Sequence, residues 1–145
     1  MHIDFPTQTV FYSIEKAIKQ YRKYSQNNIA KHLNDITVDH ALILIIIDKN
    51  PEFSQVEIAE LIFKDYASMT RMIDLMVKNA YLKRTVNTAD RRRFKLRITP
   101  KGHKAIETLV PTIKANREQA LKGITEEEIM LANTVLEKII TNCST

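Results

Sequence analysis

Glycine is scarce in this 145-residue chain: Gly102 and Gly123 are the only two. A glycine-rich phosphate loop or a dinucleotide fingerprint needs several glycines close together, because bare backbone must approach the phosphates. Both are excluded, and with them the enzymes that cradle nucleotides in this way. Cysteine is scarcer still. Cys143 is alone, so it forms neither an intramolecular disulfide nor a thiolate metal cage. The longest uninterrupted apolar run, Ala41 to Ile47, falls far short of the roughly 20 residues that cross a bilayer. No basic stretch followed by an apolar one opens the chain, so no signal peptide is visible and a reducing, cytoplasmic setting is expected. With 44% hydrophobic and 27% charged residues, the composition is that of a globular protein of one domain rather than a disordered segment.

What the chain does have is unevenly placed positive charge. Residues 64–104 hold 12 of the 22 basic residues and three of the 17 acidic ones, a balance of +9. The whole chain carries +5, so the remainder is −4. A face that is merely solvated spreads its charges. A concentration of cations in 41 consecutive residues points instead to a polyanion, nucleic acid or an anionic membrane surface.

The hydrophobic spacing predicts the elements. From Thr9 to Leu33, residues Val10, Phe11, Ile14, Ile18 and Tyr21 fall on one helical stripe. Thr37 caps a second helix, Val38 to Asp48, which is apolar on nearly every side and belongs at the centre of the fold; Asn50-Pro51 ends it. Ser54 and Glu57 form a capping box for a short helix with Val56, Ala59 and Ile62 inward. Asp65 caps the next, whose core stripe is Met69, Met72, Ile73 and Met76. At 100° per residue the opposite face holds Ala67, Arg71, Asp74 and Lys78, flanked by Thr70 and Leu75. Two helices joined by a tight turn, the second with a small, polar and cationic outer face, make a helix-turn-helix pattern.

After Asn79 the period changes from 3.6 to 2. Leu82–Val86 and Phe94–Ile98 read as the strands of a hairpin, with Asp90-Arg91-Arg92-Arg93 in the tip. Thr99-Pro100 opens a helix that carries a kink at Pro111 and is broken by Gly123. Thr125 and Glu128 box a last helix with Ile129, Ala132, Val135, Leu136, Ile139 and Ile140 inward. The fold class is mostly α, an α+β winged helix-turn-helix flanked by long helices. The reading divides the chain into a DNA-binding winged helix over 37–100 and a helical dimerisation region made of 1–36 and 101–145.

The motifs in this order resemble the MarR family of bacterial transcription regulators. Ile58-Ala59, Ser68-Met69-Thr70-Arg71, Asp90-Arg91-Arg92 and Ile98-Thr99-Pro100-Lys101-Gly102 stand where that family has a Leu-Ala pair, a Thr-x-x-Thr-Arg recognition helix, an Asp-x-Arg wing and a Leu-Thr-x-x-Gly helix start. The resemblance covers nearly the whole length. It departs at two places where the family often has glycine and this chain has Phe63 and Ala80. Phe63 suggests a turn that avoids positive φ, and the neighbouring Asn79 is expected to take the left-handed conformation at the second site.

The resemblance implies a repressor that binds double-stranded DNA as a homodimer on an inverted repeat. The candidate DNA contacts are Ser68, Thr70, Arg71 and Lys78 on the recognition helix, and Asp90, Arg91, Arg92 and Arg93 on the wing. Arg71 meets guanine edges or a phosphate, while Asp90 orients Arg92 through an ion pair. Tyr21, Tyr24, His40 and Phe63 are the candidate lining of a pocket for a small aromatic effector. Cys143 does not occupy the first helix, where the family's peroxide sensors carry their reactive cysteine. His32, His40 and His103 show no metal-ligand spacing, and neither a metal nor a cofactor is expected. Glu126, Glu127 and Glu128 serve capping, and no nucleophile stands beside a base, so an enzyme is disfavoured. The competing reading is a winged-helix protein-interaction module, against which the arginine triplet argues, since solubility needs no such clustering.

Overall fold

The computed structural model describes residues 3–86 and 94–144. After a 3-10 turn at Pro6–Gln8 come α1 (Val10–Ala30), α2 (Val38–Lys49), α3 (Gln55–Leu61) and α4 (Tyr66–Lys78). Strands β1 (Leu82–Val86) and β2 (Phe94–Ile98) follow, then α5 (Pro100–Ala120) and α6 (Glu126–Cys143). The strands pair antiparallel in the register Leu82 to Ile98, Lys83 to Arg97 and Arg84 to Leu96.

Each of these α-helices starts on a side-chain cap, because the first backbone N–H groups have no partner inside a helix. Thr9, Thr37, Ser54, Asp65, Thr99 and Thr125 fill that position. The boxes at Ser54–Glu57 and Thr125–Glu128 form as the sequence predicts. At α2 a histidine takes the part usually played by glutamate. Thr37 Oγ1 accepts from the His40 N–H at 3.1 Å, and His40 Nδ1 accepts from the Thr37 N–H at 3.2 Å.

The core gathers around α2, whose Ile43 and Leu44 are fully enclosed, with Ile29 from α1, Ile58 from α3, and Met69, Ile73 and Met76 from α4. Leu82 and Leu96 seal it from the hairpin, and Leu109 from α5. The α4 stripe read from the sequence is thus the buried one, Met72 being partly covered. α5 runs unbroken through Pro111 and ends at Ala120, ahead of Gly123, which sits in the following turn at φ 80°.

Two expectations fail, both about backbone sign. Phe63 and Ala80 adopt φ 60° and 64°, while Asn79 stays at −83°. Each closes the helix before it with a Schellman pair of hydrogen bonds. Lys64 N–H donates to Ala59 O at 2.9 Å after α3, and Tyr81 N–H to Met76 O at 2.9 Å after α4. The motif requires a left-handed residue one place beyond the cap, whatever its side chain. Position outweighs the residue preference.

A tight joint follows at Tyr81. Its ring is buried under the Lys101 ammonium, 4.3 Å from the ring centre. Its hydroxyl donates to Asp35 Oδ1 at 2.7 Å, and its carbonyl accepts from the Thr99 N–H at 3.2 Å. Gly102 passes so close that a Cβ there would lie 2.3 Å from Tyr81 O and 2.7 Å from Ile98 Cγ2. Only glycine fits.

A third expectation is corrected at the C-terminus. No residue of α6 is buried, although its apolar side chains fall at helical spacing; Met130, Leu131, Val135, Leu136 and Ile140 are all exposed. The periodicity is real, but among the described residues nothing buries that stripe, and only Ile129 and Ile139 are half-covered. Among the described residues, no helix is long and apolar enough to cross a membrane.

Candidate nucleic-acid interface

Three faces of α4 are occupied differently. One is buried in the core, one flank meets α3, and the face with Ala67, Arg71, Asp74 and Lys78 is exposed, as the 100° rotation predicts. Arg71 is held rather than loose: one of its terminal nitrogens donates to Ser68 Oγ at 3.1 Å. Ser68 in turn donates its backbone N–H to Asp65 Oδ1 at 2.7 Å. The Ser68 amide and hydroxyl, and the Arg71 charge, hold the Asp65 carboxyl below the usual carboxylate range. Ser68 therefore links the cap of α4 to the guanidinium one turn later.

Thr70 stands on the flank toward α3 and is partly covered. Its hydroxyl donates to Tyr66 O at 2.9 Å and accepts from Gln55 Nε2 at 2.8 Å. Lys78 lies exposed at the C-terminal end of α4 and complements the helix dipole there. Asp74, an anion in the middle of a cationic face, is paired with Arg84 of β1 at 2.5 Å. That ion pair also ties the hairpin to α4.

The hairpin continues the positive surface. Lys83 and Arg97 are directly opposed across the ladder and both exposed, an arrangement that is unfavourable without an anion nearby. Lys95 reaches Glu52 at 3.4 Å. Asp90, Arg91, Arg92 and Arg93 lie outside the described residues. Of the cations counted in the basic segment, Lys64 is engaged internally: with Arg22 it brackets Asp39, at 3.3 and 2.6 Å. Burial pushes Asp39 upward, yet the two cations outweigh it and hold the carboxyl below its ordinary value.

The four residues proposed for an effector pocket are not brought together. Tyr21 and Tyr24 line a cleft of about 410 Å³ with Gln20 and Gln119, between α1 and α5. His40 is buried in the α2 cap; burial holds its pKa below the ordinary histidine value, against the opposing pull of Asp39 and Asp35. Phe63 is 93% exposed in the α3–α4 turn. A second cleft, about 490 Å³, opens between α2 and α5, with Ile45, Ile113 and Leu121 beside Lys49, Lys114, Arg117 and Glu118. Sequence reasoning missed it because its walls come from residues some 65 positions apart. His32 is exposed, and His103 Nδ1 faces Asp48 at 3.8 Å. Gln55 was also missed; nothing in the sequence marks a helix-start glutamine as the partner of Thr70.

Residues 34–93 match the model of the MarR family. A curated relative, the uncharacterized HTH-type transcriptional regulator YwaE of Bacillus subtilis, is 29% identical over 89 residues. That match takes in 61% of this chain and 52% of the relative, so the chain spans about half the length of the protein it matches. Among solved structures, a cysteine-to-serine mutant of MarR from E. coli complexed with operator DNA superimposes with a TM-score of 0.83. The two are 19% identical, and 94% of this chain and 99% of that one are covered. BpsR of Bordetella bronchiseptica, whose DNA binding is regulated by 6-hydroxynicotinic acid, gives 0.83 and 19%, over 95% and 97% of the two chains. The segment that matches the family model is the winged helix, and the whole chain has the fold of these solved regulators.

Proposed function

We propose that the protein is a transcription regulator that binds double-stranded DNA as a symmetric homodimer, with α4 in the major groove and the hairpin alongside it. The observation that carries this reading is the face of α4: Arg71 and Lys78 project outward, and the one acid among them, Asp74, is already paired with Arg84. A protein-interaction surface has no need to cancel its acid in this way. An anionic groove does. The likeness to a MarR variant in complex with operator DNA supports the same docking.

The division into a DNA-binding unit over 37–100 and a dimerisation region from 1–36 and 101–145 belongs to this proposal. The apolar side chains of α6, and Ile3, Phe5, Val10 and Phe11 near the N-terminus, are exposed, and a second copy would cover them. Two recognition helices related by a two-fold axis read successive major grooves about 34 Å apart, so the operator is an inverted repeat. Occupying it would repress transcription. The cleft between α2 and α5 is the effector position in this reading, because its apolar walls and its three cations, set against the single carboxylate of Glu118, suit a small aromatic anion.

Duplex binding across a salt series tests the proposal. Log K should fall linearly with log salt, with a slope near −0.9 per phosphate contacted. Salt-independent binding, or none to any duplex, overturns it. A monomer by light scattering would overturn the inverted-repeat part alone.

A further inference from the structure

Thr70 sits on the flank of the face just described, and its hydroxyl has one proton to give. That proton goes to Tyr66 O at 2.9 Å. The oxygen in turn accepts from Gln55 Nε2 at 2.8 Å, across the α3–α4 angle. A phosphate oxygen accepts and never donates, so a hydroxyl anchors a phosphate only by donating its proton. Here the proton is committed to a carbonyl in the first turn of α4, and the side chain is pinned by a second helix. What Thr70 keeps in hand toward a ligand is its methyl group and one oxygen lone pair, which a phosphate oxygen cannot use.

Resting on the DNA reading above, we propose that Thr70 is a specificity-determining residue whose methyl contacts the C5-methyl of a thymine. Thr70 does not anchor the backbone. Apolar contact with the thymine methyl is one of the few ways a side chain without a spare donor distinguishes T·A from C·G in the major groove. The neighbouring donors fit this division of labour. Arg71 and Lys78 carry the charge that phosphates and guanine edges require, so α4 does not depend on a neutral hydroxyl for either.

The test uses the full-length protein and two probes: a duplex selected by that protein from a randomised pool, and a scrambled duplex of the same composition. Thr70→Val keeps the methyl and removes the hydroxyl; it should bind both duplexes within about twofold of the parent. Thr70→Ser keeps the hydroxyl and removes the methyl. It should weaken binding to the selected duplex about fourfold, the loss expected of one buried methyl, and leave the scrambled duplex unchanged. With the parent protein, replacing each thymine in turn by deoxyuridine should locate one position per half-site where binding falls by the same factor. At that position Thr70→Ser should be indifferent to the replacement. Because this arm alters only the DNA, it stands even if a variant fails to fold.

Equal weakening of Thr70→Val on both duplexes would overturn the inference and make the hydroxyl a phosphate donor. Weakening of Thr70→Val on the selected duplex alone would overturn it too, by showing that the hydroxyl reads a base. So would a parent protein indifferent to every deoxyuridine. A parent that selects no duplex at all is a different failure, that of the DNA reading itself.

Discussion

The residue Ala80 offers a test in which one substitution should act with opposite signs at two places. It holds φ 64° just beyond α4, is exposed, and closes the Schellman pair through Tyr81. A left-handed conformation strains an L-residue by roughly 1–2 kcal/mol, and glycine does not bear that strain. Glycine loses more freedom on folding, roughly 0.5–1 kcal/mol, which offsets part of the relief. Ala80→Gly should therefore stabilise the protein by about 0.5–1 kcal/mol. Ala115 is also exposed but lies inside α5, where the same exchange should destabilise by roughly 0.8–1.0 kcal/mol. Neither removes a buried methyl within the chain, so no cavity confuses the comparison. If a second subunit packs on Ala115, removing its methyl only deepens the destabilisation there. Urea unfolding at matched protomer concentration reads both as shifts of the midpoint at unchanged slope. The midpoints should move apart, to either side of the parent. If Ala80→Gly lowers the midpoint, the left-handed backbone at this site is not the strained position described here.

Further expectations follow from the other joints. Gly102→Ala should destabilise by roughly 1–3 kcal/mol in thermal melts, because its Cβ would overlap backbone at Tyr81 rather than a yielding side-chain end. Buried His40 is held neutral, so the stability it contributes is full above about pH 6.5 and is lost as pH falls from there through its lower folded value. The unfolding midpoint of the parent should decline over that window, and His40→Asn should flatten the decline. Burial, with the Asp35 hydrogen bond, pushes the Tyr81 phenol up to about 12. Its contribution to stability is present below about pH 10 and fades as pH rises through about 12, and Tyr81→Phe should remove the last-ionising component from an ultraviolet titration. Asp74→Asn should release Arg84 and strengthen binding to any duplex, scrambled included, by steepening its salt dependence; an unchanged slope would argue against Arg84 as a phosphate contact.

The parts of this fold that a reader of the sequence can recover are those decided within one turn of chain. Thr37, Ser54, Asp65, Thr99 and Thr125 act on N–H groups three residues away, so their spacing alone announces the helix starts. The buried stripe of α4 is equally local, and its opposite face follows by rotation, which is why Arg71 and Lys78 are found where periodicity puts them. What escapes is set at a distance. Tyr81 and Asp35 meet across 46 residues, and Gln55 reaches Thr70 across the α3–α4 angle. The left-handed backbone of Phe63 and Ala80 is imposed by helix closure and chain reversal against the preference of the residues themselves. In α6 the periodic pattern specifies an apolar side but is silent on what, if anything, covers it. The proposed aromatic pocket fails to assemble for a related reason. His40 is already needed as a cap, and Phe63 is carried outward by the sign of its φ.

The union of Tyr81, Thr99 and Gly102 gives α5 the form of a lever whose fulcrum lies at the C-terminal foot of α4. Twenty-one residues at about 1.5 Å each give it an arm of about 31 Å. A displacement of about 3 Å at the distal end corresponds to a rotation of about 6° about the near end, where Thr99 and Gly102 meet Tyr81 just beyond α4. Whatever displaces the far end of α5 therefore bears on the joint at which α4 ends and the hairpin begins.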